Sequence, residues 1–518
     1  MRLISFHIER YRVLRDIDIN FDRGERKSLN PQQGYALDFL AGVNGTGKST
    51  VLHLLGRLFA QLLTENYFFP IDVTLIYSVG TDDARESRVK VSNIPDEDTP
   101  PTNGILRYTV DDGEWQSGKI PSNLLPRNIV IYTTGSESAW LHELSDSDES
   151  GSSPTDTIAE DEEVQAYLRE LPGHQQSSTV KDESPVDFDR TLLFIRSERL
   201  SLVALCGLLA SLKYHHDKPD DKPPLQEVIE SISLSGLLSF SLRIRSHRSL
   251  TPRPQQDVID ELQKIANHRI QQGSDTLLVF DMEQQFENHK QSAQCIFNLY
   301  ESPIALFQRL NQLYENRPYY DAPLQEVSLF LRRQTDKEPK AGVESEVAML
   351  QLYEWLSDGE QSFLGRMALF ALFRASNMLI LLDEPEVHFN DVWKREIVNM
   401  LDKIMTGYAS HALITTHSSI ALTDVRPQDI LVMQRQEHLT EGENAVKEPT
   451  METLGADPSD ILVHIFGTRS ATGERSIRFI QRELGERTTP AALNELKQIV
   501  APGYWRYRIQ LEVQRLTP

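Results

Sequence analysis

The sequence predicts an α/β fold whose core sheet is split along the chain. A β meander belongs to the first half, a large helical insertion separates the halves, and helices close the C-terminus. Three observations predict it. Short apolar runs at Ala36–Ala41, Asn128–Thr133, Met378–Leu382 and Ala412–Thr416 have the length and composition of strands buried on both faces. Segments between 73 and 110 alternate apolar and polar residues. Between 191 and 347 the apolar spacing is mostly that of helices.

In chain order, Leu3 to Ile8 and Ile17 to Phe21 read as strands, and Lys48 to Leu63 as a helix. Val73 to Val79, Arg88 to Ile94 and Ile105 to Val110 form the meander, with Asp111-Asp-Gly113 as a turn. Ser145 to Glu163 (SDSDESGSSPTDTIAEDEE) is acidic and almost free of large apolar residues, and Gly173 to Asp187 continues in that style. Such a stretch buries too little surface to offset its ordering entropy, so a disordered loop is expected. Leu192 to Leu212 and Glu227 to Leu238 read as helices, with Pro-rich breaks at Lys218 to Pro224 and Thr251 to Gln255. After the last buried strand, Pro458 to Phe466, Gly473 to Leu484 and Pro490 to Val500 read as helices. The divisions are therefore 1–135 and 345–435 for the two halves of the core and 136–190 for the acidic loop. Residues 191–344 form an insertion long enough for a domain of its own, and 436–518 a C-terminal helical region. No internal repeat is present.

Composition bounds the function. With 39% hydrophobic and 25% charged residues in 518, the balance is that of a soluble globular protein. No apolar run approaches the ~18 residues needed to cross a bilayer, and the first residues lack a signal-peptide pattern. Two cysteines, Cys206 and Cys295, cannot build a disulfide framework, so a cytoplasmic location is expected. The net charge of −23 opposes general coating of DNA, which relies on a basic field. Arg243, Arg245, His247, Arg248 and Arg253 form one basic cluster, open to two readings: charge balance or nucleic-acid contact. Trp505 to Arg508 reads equally as an interaction motif or a packed terminal helix. His215-His216-Asp217, in a charged Pro-rich context, reads as a solvated loop.

Four motifs carry chemistry. The first, Gly42-Val-Asn44-Gly45-Thr46-Gly47-Lys48-Ser49-Thr50, has the form GxxxxGK[ST] between a strand and a helix. Its glycines let backbone N–H groups wrap phosphates, Lys48 reaches the β- and γ-phosphates, and the Ser49 hydroxyl ligates Mg²⁺. The second is Met378-Leu-Ile-Leu-Leu-Asp-Glu-Pro385, which sets Asp383 and Glu384 at the C-terminal end of a buried strand. There Asp383 holds Mg²⁺ through water and Glu384 polarises the attacking water. The third, Leu356-Ser357-Asp-Gly359-Glu360-Gln361, opens a helix and offers an anion site at its N-terminus. Its Ser357 lies 26 residues before Asp383. The fourth is His417, at the end of the strand after the acidic pair and placed to sense a γ-phosphate.

Together these motifs resemble the ABC ATPases: Walker A, an LSGGQ-like signature, Walker B with its glutamate, and the switch histidine. Asp383-Glu-Pro-Glu-Val-His388 is similar to the DEPExH form of the RecF/OLD/SMC-like (AAA-15) branch, with a departure at Phe389-Asn390. No clear Q-loop glutamine is present, and Tyr132-Thr-Thr-Gly135 lies near its place. The resemblance implies ATP and Mg²⁺ as cofactors, with Ser357, Gly359 and Glu360 completing the site of a second copy, head to tail. It also implies a homodimer, with room for a higher homo-oligomer. OLD-type enzymes add a Toprim nuclease after the ATPase. Here only about a hundred residues follow His417, short for such a domain, and no DxD pair or HNH-like cluster occurs among them. Size, insertion and C-terminal segments most resemble the PtuA ATPases of Septu and retron anti-phage systems. That likeness implies an HNH nuclease (PtuB-like) partner and, in a retron setting, a reverse transcriptase and retron DNA. The rival readings are an AriA-type scaffold holding a Toprim effector and a RecF-like repair ATPase that clamps DNA.

Overall fold

The structure, a computed structural model, describes residues 1–22, 34–80, 86–95, 104–145, 191–245, 253–289, 294–300, 302–314, 322–333, 350–435 and 443–517, with Thr251, Ser292, Glu437 and Leu439. Three sheets are present among them. The central one has seven strands in the order Val446–Lys447, Ile430–Met433, Ala36–Ala41, His411–Thr416, Met378–Asp383, Asn128–Thr133, Thr191–Ile195. All neighbours run parallel except the first pair. The apolar runs that announced these strands are explained by burial on both faces. In Met378–Asp383, Met378, Ile380 and Leu382 enter one hydrophobic core while Leu379 and Leu381 enter the other.

The core that takes Leu379 and Leu381 lies between the central sheet, the helix Lys48–Leu63 and a six-stranded antiparallel sheet. That second sheet is the expected meander, ordered Leu14–Asn20, Arg2–Tyr11, Val73–Gly80, Glu86–Ser92, Arg107–Val110, Gln116–Ser117. A buried polar pair joins the two sheets. Leu3 N donates to His411 Nδ1 at 2.9 Å, which leaves Nε2 to carry the proton toward Asp38 Oδ2 at 3.0 Å. Both side chains are fully buried.

On the opposite face the insertion departs from expectation. It has helices, among them Leu200–Asp217, Arg253–Ile265 and Pro303–Gln312, but also a five-stranded antiparallel sheet. Its order is His268–Gln272, Asp275–Asp281, Leu234–Arg245, Leu324–Arg333, Leu350–Leu352. Leu192 to Leu212 resolves into an edge strand of the central sheet, Thr191–Ile195, followed by the helix from Leu200. The helix expected over Glu227 to Leu238 ends at Ser231 and gives way to Leu234–Arg245. Both stretches are rich in Leu, Ile and Ser, and a short apolar run of that kind reads as either element. Phe240, Phe280, Phe370 and Met378 share one core, so insertion and second half bury their apolar faces together.

In the loop expected over 136–190, Glu137–Ser145 is a helix carrying buried Trp140, and 146–190 lie outside the described residues. So do His247 and Arg248 of the basic cluster. Of its described members, Arg243 pairs with Glu326 at 3.1 Å and Arg245 with Asp275 at 2.7 Å, which favours the charge-balance reading. His215 and His216 end the helix Leu200–Asp217 instead of lying in a loop. Both cysteines are free and buried. No helix among the described residues is long and apolar enough to cross a membrane.

Candidate functional site: a P-loop at the end of the central sheet

The P-loop joins the strand Ala36–Ala41 to the helix Lys48–Leu63. Gly42, Gly45 and Gly47 have φ of 154°, 83° and 95°, a backbone that L side chains rarely adopt. At Gly47 a Cβ would also lie 2.4 Å from Leu14 Cδ2, and at Gly42 2.5 Å from the Met433 carbonyl oxygen. Thr46 Oγ1 braces the loop by donating to Val43 O at 3.0 Å. Lys48, 5% exposed, donates to the carbonyls of Gly42 (2.8 Å) and Val43 (3.2 Å). Burial lowers its pKa, while Glu384 and Asp383 pull the other way.

Asp383, at the end of its strand, is held by three hydroxyls. Ser49 Oγ and Thr415 Oγ1 donate to Oδ1 at 2.8 and 2.6 Å, and Thr133 Oγ1 to Oδ2 at 3.2 Å. Parallel register explains the convergence, since Asp383 pairs with Thr133 on one side and Thr415 on the other. A serine hydroxyl beside a carboxylate is an oxygen donor set suited to Mg²⁺, so the residues present fit that ion. Next along the chain, Glu384 sits at φ 51° with its N–H donating to Thr415 Oγ1 at 3.0 Å. Its carboxylate pairs with His417 Nδ1 at 3.0 Å. That contact lowers the Glu384 pKa and raises that of His417.

A cavity of about 470 Å³ opens over these groups. Asn44, Gly45, Gly47, Lys48, Ser49 and Thr50 line one side, Asp383 and Glu384 another, and Thr133 to Ser136 a third. Sequence reading left the third side open for want of a glutamine. Threonines occupy it, with Thr134 Oγ1 donating to the Glu384 carbonyl at 3.1 Å. His53 and Trp140, ring centroids 4.2 Å apart, also line the cavity and were not anticipated, because nothing local marks them.

Ser357, Gly359 and Glu360 do not line this cavity. They form the N-terminus of the helix Asp358–Leu372, with Ser357 as N-cap and Glu360 completing a capping box. Gly359 lies against the loop after Asp383, where a Cβ would sit 3.1 Å from the His388 carbonyl oxygen. About two helix turns on, Arg366 is buried and donates to the carbonyls of Pro385 (2.5 Å) and Val387 and to the Tyr132 hydroxyl (3.1 Å). These bonds tie the helix Asp358–Leu372 to the loop after Asp383. Sequence reading missed Arg366, which lies within an apolar helix. At the Phe389-Asn390 departure, Phe389 packs edge-on against Phe363, and Asn390 caps the helix Asp391–Met405.

A P-loop strand beside a strand leading to His417 beside the strand ending in Asp383, flanked by an antiparallel sheet and a capped helix, is the arrangement of an ABC-type head fold. A family model described as "AAA domain, putative AbiEii toxin, Type IV TA system" matches residues 215–424. Similar solved structures include an Smc head bound to the C-winged-helix domain of ScpA (10% identity, TM-score 0.32, covering 86% of this chain and 97% of that one). The SMC head domain from Thermotoga maritima is another (12%, 0.32, 87% and 100%). A third is the Smc head with an extended coiled coil bound to the C-terminal domain of ScpA derived from Pyrococcus furiosus (11%, 0.30, 86% and 96%). No curated protein matches the chain.

Proposed function

We propose that the chain binds MgATP, hydrolyses it in a head-to-tail dimer, and acts as regulator and scaffold for a nuclease carried by a separate polypeptide in anti-phage defence. One observation supports the dimer most: the P-loop half of the site is assembled, while Ser357, Gly359 and Glu360 lie outside its cavity. A second copy presenting them would complete the site. Lys48 and the P-loop amides would hold the phosphates, and Ser49 with Asp383 would hold Mg²⁺, which would supply neutralising charge to them. Glu384 would polarise the attacking water, and His417, paired with it, would sense the γ-phosphate. Closure would exclude water around the phosphates. Arg366 would carry the change from the Walker B loop into the signature helix and the insertion packed on it.

The resemblance to PtuA ATPases supports an HNH partner, and the net charge of −23 supports leaving DNA contact to that partner. The test is a purified chain with and without the product of its neighbouring gene. Alone it should hydrolyse ATP and leave plasmid, linear duplex and single strands uncut with Mg²⁺ or Mn²⁺. Adding the neighbour should bring cutting whose rate changes when ATP is depleted. Cleavage by the isolated chain, lost on mutating a carboxylate other than Asp383 or Glu384, would overturn the scaffold reading.

A further inference from the structure

The C-terminal helices Glu474–Glu486, Pro490–Ile499 and Tyr504–Leu516 enclose a small core of their own, built on Ile480, Leu493, Leu496, Ile509 and Val513. The last helix gives Ile509 and Val513 to that core. On its opposite side, at i, i+3 and i+7, stand Tyr504, Tyr507 and Leu511, which are 63%, 61% and 41% exposed. Ile499, 68% exposed, ends the preceding helix. Arg508 and Arg515 border the same stripe and are exposed. A helix with one buried face normally turns a polar face outward. This one turns out tyrosine, leucine and arginine, the residue types that anchor protein interfaces.

Charge says what covers it. Residues 473–517 carry eight Lys or Arg against five Asp or Glu, a net of +3, whereas the other described residues carry 33 against 44, a net of −11. We propose that the outer face of Tyr504–Leu516 docks on the acidic body of a second copy of this chain and holds copies together without nucleotide. This contact is separate from the ATP-dependent pairing of heads. Apolar anchors give it affinity, and the arginines steer it.

The test is the solution mass of the full chain, nucleotide-free, at micromolar concentration. The wild type and Lys48→Ala should both show two or more copies, and raising the ionic strength should shift both toward one. Tyr504→Ser/Tyr507→Ser/Leu511→Ser should be a single copy without nucleotide. In a Glu384→Gln background the same triple variant should still pair on adding ATP, which shows that it is folded and that its heads are competent. Tyr507→Glu, one exposed side chain, gives the same reading should the triple variant not fold. A nucleotide-free wild type of single-copy mass, the result expected if a different polypeptide covers this face, would overturn the proposal. So would a folded triple variant of unchanged mass.

Discussion

The Ser49 hydroxyl donates to Asp383 at 2.8 Å, joining two residues 334 positions apart in the chain. That bond closes the split site: one partner opens the helix after the P-loop, and the other ends the Walker B strand. Lys48→Ala removes the cation that meets the phosphates and should abolish ATP binding, read with a fluorescent nucleotide. Glu384→Gln should bind ATP normally and lose roughly 10²–10⁴-fold in kcat, the usual contribution of a general base. Wild-type turnover by Glu384→Gln would remove Glu384 from its role.

Glu384 and His417 titrate as partners, which gives the site a pH signature. The histidine's pKa is raised above its ordinary 6.5, so its contribution is complete below that value and fades as pH rises through the higher folded value. The carboxyl's pKa is lowered below 4.5, so its contribution is complete above that value and is lost as pH falls through the lower folded value. The pair is intact between the two folded values. His417→Ala should let the Glu384 pKa rise, so the acid limb of the kcat profile should move to higher pH. An acid limb left in place would show that the pair does not govern the base.

A second carboxyl lies close by, with its pKa shifted the opposite way. Glu386 is 3% exposed, burial raises its pKa, and its side chain meets Thr416 Oγ1, which also accepts from Ser418 N at 3.0 Å. Through that contact it braces the segment bearing His417. Glu386→Gln, which keeps shape and hydrogen bonding, should retain turnover within about threefold of the wild type. Glu386→Ala leaves buried groups unpaired and should cost about 1–3 kcal/mol in unfolding free energy. A loss of turnover in Glu386→Gln matching that in Glu384→Gln would assign Glu386 a base's role instead.

The signature helix depends on a close crossing. A Cβ at Gly207 would lie 2.5 Å from the Ala368 carbonyl oxygen and 2.7 Å from its Cβ. Gly207→Ala should force Leu200–Asp217 away from Asp358–Leu372 and destabilise the fold by about 1–3 kcal/mol. An unchanged midpoint in urea would mean that the crossing relaxes freely.

The central strands and the P-loop were legible because their signals are local: unbroken apolar runs for burial on both faces, and glycines where φ must be positive. The insertion's sheet was not. Leu234–Arg245 is rich in Leu and Ser and only partly alternating, and its partners Asp275–Asp281 and Leu324–Arg333 lie far along the chain. The braces of the site escaped for the same reason. Thr133 and Thr415 matter only through parallel register with Asp383, and Arg366 only through a loop 19 to 21 residues away. Asp38 and His411 meet only because their strands, far apart in the chain, lie side by side in the sheet.

Completion of the site in trans is most directly tested by mixing two defective chains. Ser357→Arg should bind ATP as an isolated chain yet lack ATPase activity, and Lys48→Ala should neither bind nor hydrolyse. A dimer of one with the other has one composite site carrying both defects and one carrying neither. In verified mixed dimers, turnover should return to about half the wild-type rate per dimer if the two sites act independently. Mixed dimers as inactive as either parent would contradict a site shared between two copies.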